Sequence, residues 1–160
     1  MAPAAVGEAA ICIAWISHDN SRIRRRENHQ ECIVKANFKR ASPYADDAMN
    51  LPVKDVDAAV SFYETIMGFA VTSRATDPVK SVTLARDDVQ IAICENGGDP
   101  SQEGCFFEVD DVEAAFAELQ NKGLKSTADF RTEKHGDTTY RLFFVVAPDG
   151  LCYCIGEPQA

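Results

Sequence analysis

The sequence predicts an α+β fold in which two tandem βαβββ modules form curved mixed sheets around a cleft. Three observations support this prediction. The segment LPVKDVDAAVSFYETIMGF at residues 51–69 returns in shorter form as EVDDVEAAFAELQNKGL at 108–124, and each copy precedes three short apolar segments. The chain also has 160 residues and 46% apolar content, which suits a single domain with one core.

Each copy of the repeat contains an amphipathic helix. Apolar residues recur with helical spacing over residues 56–67 and again over 112–119, which gives each helix one buried face. Both helices open on acidic residues, where negative charge stabilises the free N–H groups of the first turn. Gly68 and Gly123 end them, because glycine readily adopts the left-handed conformation that closes a helix.

Three strands are predicted after each helix, because the segments there are rich in β-branched and aromatic residues. They are FAVTSR, SVTLARDD and VQIAIC in the first module, and LKSTADF, YRLFFVVAPDG and LCYCIG in the second. One such module leaves a sheet face uncovered, and a second module related by a pseudo-twofold axis would cover it while enclosing a cleft. Concave sites of this kind favour ligand binding.

The domain is expected at residues 45–160, with modules at about 48–96 and 103–157. Residues 1–44 differ in composition, with seven Lys and Arg against four Asp and Glu. We interpret them as an N-terminal extension, either foreign to the domain or contributing an added strand through AICIAWI at residues 10–16. That apolar run is too short to span a bilayer, and the basic cluster follows it, unlike in a signal peptide.

The charge and the cysteines indicate the environment of the protein. A formal net charge of −9 does not suit binding to nucleic acid or to an anionic membrane, so we expect neither partner. The six cysteines form no CxxC pair, and a chain of this size does not need disulfides, so we expect reduced thiols and a cytoplasmic location.

Three segments resemble the vicinal oxygen chelate superfamily: LPVKDVDAAVSFYETIMGF, FFEVDDVEAAFAELQNKG and FVVAPDGLCYCIGEP. This superfamily includes lactoylglutathione lyase, extradiol dioxygenases, fosfomycin-inactivating enzymes and bleomycin-resistance proteins. The resemblance covers roughly residues 48–158 and implies a divalent metal held by His, Gln and Glu side chains. Here the four ligand positions fall on Ala48, Ala92, Gly104 and Cys154.

These four residues predict that the metal site is absent. Only the cysteine has a donor atom in its side chain, and one soft ligand does not make a site for the metals of this superfamily. We therefore expect no metal and no cofactor. A looser site formed by Cys152, Cys154, His135 and Glu108 is the alternative, since residues 152 and 154 point to the same side of their strand.

The resemblance is strongest to the metal-free bleomycin-resistance group, whose members hold a bulky or cationic antibiotic, unchanged, between two subunits. It implies a homodimer that binds a small molecule and sequesters an antibiotic or a similar compound. In the antibiotic-binding relatives a tryptophan and a glycine commonly stand where this chain has His135 and Gly136, which argues against bleomycin itself.

Two other functions stay open at this stage. One is a lyase or dioxygenase of the same superfamily that uses atypical metal ligands or a metal-free general base. The other is an interaction domain whose cleft is filled by its own side chains or by the N-terminal extension. Both functions stay open because proteins that share a fold can differ in function. The sequence does not decide whether any catalysis occurs.

Strand alternation predicts which residues face the ligand and which face the helices. Phe106 and Tyr140 would stack on a flat ligand, and Glu108 or Arg141 would supply a charge partner. The alternative to ligand binding is a structural role, in which Phe106 would lie in the core and the polar candidates would lie on the solvated surface. The ligand-binding candidates are Asn50, Gln90, Cys94, Phe106, Glu108, His135, Tyr140, Arg141, Cys152 and Cys154. The residues expected to face the helices are Leu51, Val53, Val89, Ile91, Ile93, Phe107, Tyr153 and Ile155.

Overall fold

The computed structural model describes residues 34–45 and 47–160, which form nine strands, two α-helices and a short 3-10 helix at Pro100–Gln102. In chain order the strands and α-helices are β1 (Phe38–Pro43), β2 (Leu51–Pro52), α1 (Val56–Thr65), β3 (Ala70–Ala75), β4 (Ser81–Arg86), β5 (Val89–Cys94), β6 (Gly104–Val109), α2 (Val112–Asn121), β7 (Arg131–His135), β8 (Thr138–Val146) and β9 (Cys152–Gln159). The segment AICIAWI lies outside the described residues, so the strand considered for it stays a prediction.

The strands form two mixed sheets, one for each module. The small sheet has the order β2-β5-β4-β3, and the large sheet has the order β1-β6-β9-β8-β7. In each sheet the strand before the helix pairs in parallel with the last strand of its module, β2 with β5 and β6 with β9. This arrangement confirms the predicted α+β fold of two tandem βαβββ modules.

Both helices begin and end where the sequence predicts. The Asp55 carboxylate accepts a hydrogen bond from the third helical N–H of α1, and Asp111 does the same for α2. Gly68 and Gly123 follow the helices with φ of 71° and 108°. Neither helix in the described part of the chain has the length and apolar content needed to cross a membrane.

The core lies between the helices and the sheets, and the predicted register is confirmed. All eight residues expected to face the helices are at most 3% exposed. Within this core the Phe107 ring stacks on the Tyr153 ring with centroids 5.2 Å apart, which joins the parallel strands β6 and β9.

The second strand of the second module differs from the prediction. The segment LKSTADF at residues 124–130 is not a strand, and β7 begins directly after it at Arg131. Phe130 explains the difference, because its ring packs against Phe116 and Phe143 at 5.5 and 5.8 Å and ties the segment to the core. Gly136, with φ of 63°, then forms the tight turn to β8.

The sheet begins ahead of the expected boundary at residue 45. Strand β1 runs antiparallel to β6 at the edge of the large sheet, within the segment assigned to the N-terminal extension. Ala36 and Phe38 are completely buried, and the Phe38 ring lies 5.5 Å from that of Phe107. Residues 36–43 therefore pack as part of the domain core and sheet.

Candidate ligand-binding site

A cleft of about 360 Å³ lies on the face of the large sheet that points away from the helices. Five of its lining residues come from the second module, namely Phe106, His135, Tyr140, Phe144 and Cys154. Four come from β1 and the residue after it, namely Arg40, Ser42, Pro43 and Tyr44. These nine residues are called the cleft below.

Aromatic rings surround a thiol in the middle of the cleft. Cys154 on β9 is aligned with Phe106 on one neighbouring strand and with Phe144 on the other. The Phe106 and Tyr140 rings meet edge to face at 5.1 Å, and His135 lies 6.1 Å from each of them. This arrangement can stack on a flat ligand through ring faces that are already held in place.

One end of the cleft is polar. The Glu108 carboxylate accepts a hydrogen bond from the Tyr140 hydroxyl at 3.1 Å and from the Arg40 guanidinium at 3.1 Å. Arg40 therefore balances the charge of Glu108 within the chain, and the hydrogen bond between Glu108 and Tyr140 fixes the orientation of the Tyr140 ring. The remaining lone pairs of the carboxylate and the remaining N–H groups of Arg40 can bind polar groups of a ligand.

Tyr44 forms the wall at the other end, over the strand that carries Gly104. Its backbone N–H donates to the Gly104 carbonyl at 3.2 Å, and its ring occupies the space above that glycine. Tyr44 is 49% exposed as a whole, but desolvation of its hydroxyl group, together with the thiols of Cys154 and Cys152, raises the pKa of Tyr44 well above its ordinary value. The phenol therefore stays protonated and offers a hydrogen-bond donor beside the cleft.

Four of the predicted ligand-binding residues line the cleft, and two others lie beside it. Phe106, His135, Tyr140 and Cys154 are lining residues, and Glu108 bonds to two of the lining residues. Cys152 is half-buried on the same strand as Cys154 and close to the Tyr44 ring.

Arg141, expected in the cleft, lies instead on the opposite face of the large sheet. Its guanidinium pairs with Glu113 on α2, and its Cζ atom lies 4.8 Å from the centre of the Phe130 ring. Successive residues of a strand point to opposite faces, so the neighbour of Tyr140 on β8 cannot share its cleft.

The three candidates from the first module also lie away from this cleft. Asn50 lines a separate hollow of about 200 Å³ and accepts a hydrogen bond from the Asn96 amide at 3.1 Å. Gln90 is exposed on the small sheet, and Cys94 is buried with its thiol 3.8 Å from the Met49 carbonyl. In the described part of the chain, therefore, the cleft is a feature of the large sheet.

Sequence reasoning missed five of the lining residues. Phe144 could have been found, because it alternates with Tyr140 on one strand and shares its face. Arg40, Ser42, Pro43 and Tyr44 come from a short polar segment before the repeat, which carries no strong strand pattern. Pairing with β6 makes this segment a strand, and no feature of its own composition indicates that pairing.

The residues at the metal-ligand positions of the superfamily do not fit a divalent ion. Ala48, Ala92 and Gly104 offer no donor, and a Cβ atom on Gly104 would lie 1.8 Å from the Cys152 carbonyl oxygen. Burial and the nearby Glu133 carboxylate raise the pKa of Cys154 to about 12, which disfavours the thiolate that binds metals. Among the described residues, no group of three His, Cys, Asp or Glu side chains is placed to hold a metal. The alternative site of Cys152, Cys154, His135 and Glu108 is therefore not formed in this structure.

Solved structures share this fold. A bleomycin resistance determinant encoded on transposon Tn5 is 25% identical, with a TM-score of 0.53 over 72% of this chain and 100% of its own. A bleomycin-binding protein from Streptomyces verticillus, complexed with copper(II)-bleomycin, is 22% identical, with a TM-score of 0.55 over 72% and 98%. A protein from the mobile metagenome of V. pseudocholerae is 17% identical, with a TM-score of 0.58 over 72% and 95%.

Sequence comparison agrees with the fold. No protein with a curated description matches the chain. The family model described as glyoxalase/bleomycin resistance protein/dioxygenase superfamily matches residues 46–152, which include both helices and eight of the nine described strands in whole or in part. The chain therefore belongs to the glyoxalase/bleomycin resistance protein/dioxygenase superfamily.

Proposed function

We propose that this protein binds a flat organic molecule in the cleft, reversibly and without a metal, and thereby sequesters it. The observation that carries the proposal is the set of rings around Cys154, where Phe106, Tyr140 and His135 lie within 6.1 Å of one another. A volume of about 360 Å³ lies within the usual range of small-molecule sites. The likeness to the Tn5 bleomycin resistance determinant supports an antibiotic or a similar compound as the ligand.

The chemistry of the cleft favours binding over conversion. The Glu108 carboxylate is engaged by Arg40 and Tyr140 and is not held ready as a free base. The thiol of Cys154 is protonated at neutral pH, because its pKa is about 12. A ligand stacked on the rings would therefore meet hydrogen-bond donors and apolar surface, and no activated nucleophile.

We further propose that the protein acts as a cytoplasmic homodimer. Phe144 and Val146 on β8 are 39% and 65% exposed, and Tyr44 beside them is 49% exposed. A second copy would cover this apolar rim and deepen the cleft. The four described cysteines are free thiols, which suits a reducing compartment.

Fluorescence titration with Nile red, a flat neutral dye, tests the binding proposal. We expect saturable binding to the wild type and an affinity at least about fivefold weaker in Phe106→Ala, because a stacking ring contributes about 1 kcal/mol beyond its buried area. Phe130→Ala is the matched control, since that ring packs on the helix side of the same sheet. Equal affinities for the wild type and Phe106→Ala would refute the assignment of the cleft.

A thermal-shift screen of planar antibiotics, bleomycin included, then searches for the natural class of ligand. A compound that binds the folded state raises the melting temperature in proportion to the logarithm of its concentration. We expect a true ligand to lose this effect in Phe106→Ala and to keep it in Phe130→Ala.

A further inference from the structure

We infer that Arg86, which lies outside the cleft, is the residue that positions the cleft wall formed by β1 and Tyr44. The inference rests on the proposed function in one respect, because the importance of the wall depends on the cleft being the binding site. The placement of the wall by Arg86 can be tested without any ligand.

The Arg86 guanidinium joins three parts of the molecule. It is 4% exposed, and it donates to the Met67 carbonyl, two residues after α1, and to the Glu118 carboxylate on α2, the latter at 2.7 Å. It also donates to the Ala36 carbonyl at 3.3 Å, and its Cζ atom lies 4.0 Å above the Phe38 ring. One side chain thus connects both modules to the segment that leads into β1.

Strand β1 depends on such contacts because it lies at a sheet edge. In the described part of the chain it pairs with β6 alone, yet it and Tyr44 supply four of the nine residues of the cleft. The preceding residues are held at the surface by Asn37, which donates two hydrogen bonds of 2.8 Å to the Asp110 carboxylate. An edge strand held in this way can open locally without unfolding of the rest of the domain.

A lysine cannot replace Arg86 in this role. The planar guanidinium offers five donors in a fixed fork, and here it reaches two backbone carbonyls and the carboxylates of Glu118 and Asp87 from a single buried position. A lysine keeps the charge that balances Glu118 but can satisfy only part of this set, so the contact with Ala36 would be lost or weakened. The substitution therefore separates wall placement from charge neutralisation.

Hydrogen exchange followed by mass spectrometry tests the inference on the full chain without ligand. In Arg86→Lys we expect the amides of residues 36–43 to exchange about tenfold faster than in the wild type, corresponding to a lost charged hydrogen bond. The amides of β8 and β9 should change much less. Arg74→Lys is the matched control, since that arginine pairs with Asp57 on the exposed surface of the same module and should leave exchange unchanged.

A second variant keeps the inference testable if Arg86→Lys does not fold. Arg86→Gln also removes the cation–π contact with Phe38, while Lys122 at 2.6 Å still balances the charge of Glu118, and it should accelerate exchange in β1 selectively by at least the same factor. Equal acceleration in β1, β8 and β9 would overturn the inference, because it would show a loss of global stability only. Unchanged exchange in β1 would overturn it as well.

Nile red affinity provides the functional readout. We expect Arg86→Lys to bind the dye about fivefold more weakly than the wild type, with Arg74→Lys unchanged, because a mobile wall reduces the population of the closed cleft. If the wild type does not bind Nile red, the dye gives no support to the proposed function, and the exchange experiment still decides whether Arg86 positions β1. If the dye binds and Arg86→Lys matches the wild type, wall placement by Arg86 is refuted.

Discussion

Replacing Gly104 by alanine tests how closely the strands beneath the cleft approach each other. A Cβ atom at this position would lie 1.8 Å from the Cys152 carbonyl oxygen and 2.6 Å from Cε2 of Tyr44. The tyrosine ring can move aside, but the carbonyl belongs to the backbone of β9 and cannot move without breaking the β6–β9 pairing. Overpacking costs about 1–3 kcal/mol, and a backbone collision places Gly104→Ala at about 3 kcal/mol.

Urea unfolding followed by circular dichroism measures this cost. Gly97→Ala is the control, because Gly97 has φ of 81° and nothing within 4 Å of its Cβ position, so the change costs only about 1 kcal/mol of backbone strain. We expect the midpoint of Gly104→Ala to fall well below that of Gly97→Ala. Wild-type stability for Gly104→Ala would show that β6 and β9 leave room for a side chain, and the argument that a metal ligand cannot stand there would fail.

Three further predictions concern polar groups held by hydrogen bonds or by burial. Tyr63→Phe should lower the free energy of unfolding by about 1–3 kcal/mol, because the Tyr153 hydroxyl, 2.7 Å away, loses its partner; an unchanged urea midpoint would contradict this. Cys154, with a pKa of about 12, should react with iodoacetamide at pH 8 far more slowly than a free thiol, which peptide mass spectrometry would show. Desolvation raises the pKa of Asp110, but hydrogen bonds from Asn37 outweigh this effect and hold the pKa below 3.8. The ionised carboxylate therefore stabilises the fold above about pH 4, and this stabilisation is lost as the pH falls through the folded-state pKa. The stability difference between wild type and Asp110→Asn should therefore shrink from pH 5 to pH 3, and a constant difference would contradict the sign.

The helices and the register could be predicted from the sequence because strong local patterns determine them. Asp55 and Asp111 cap helices whose apolar residues keep helical spacing, and the period-two geometry of β6 and β9 places Phe107 and Tyr153 on the buried, helix-facing side. Each of these features can be read within about ten residues. Repetition of the pattern then indicated two modules with one fold.

The edges of the large sheet could not be predicted, because contacts distant in sequence determine them. Residues 38–43 become a strand only by pairing with β6, more than sixty residues away, and by packing around Arg86. At the other edge, Phe130 packs against Phe116 and Phe143, which delays the start of β7. The candidate cleft therefore includes residues that the sequence suggested on β6 and β9, and its wall at β1 was not predicted.

The central claim is that the cleft holds a small molecule without a metal and without changing it. The most direct measurement is calorimetric titration of the compound found by the thermal-shift screen into protein treated with EDTA and into protein supplied with Zn²⁺ or Mn²⁺. Mass spectrometry then examines the compound recovered after incubation. We predict equal dissociation constants with and without metal and recovery of the compound unchanged. Binding that requires the metal, or conversion of the compound by the protein, would contradict the claim.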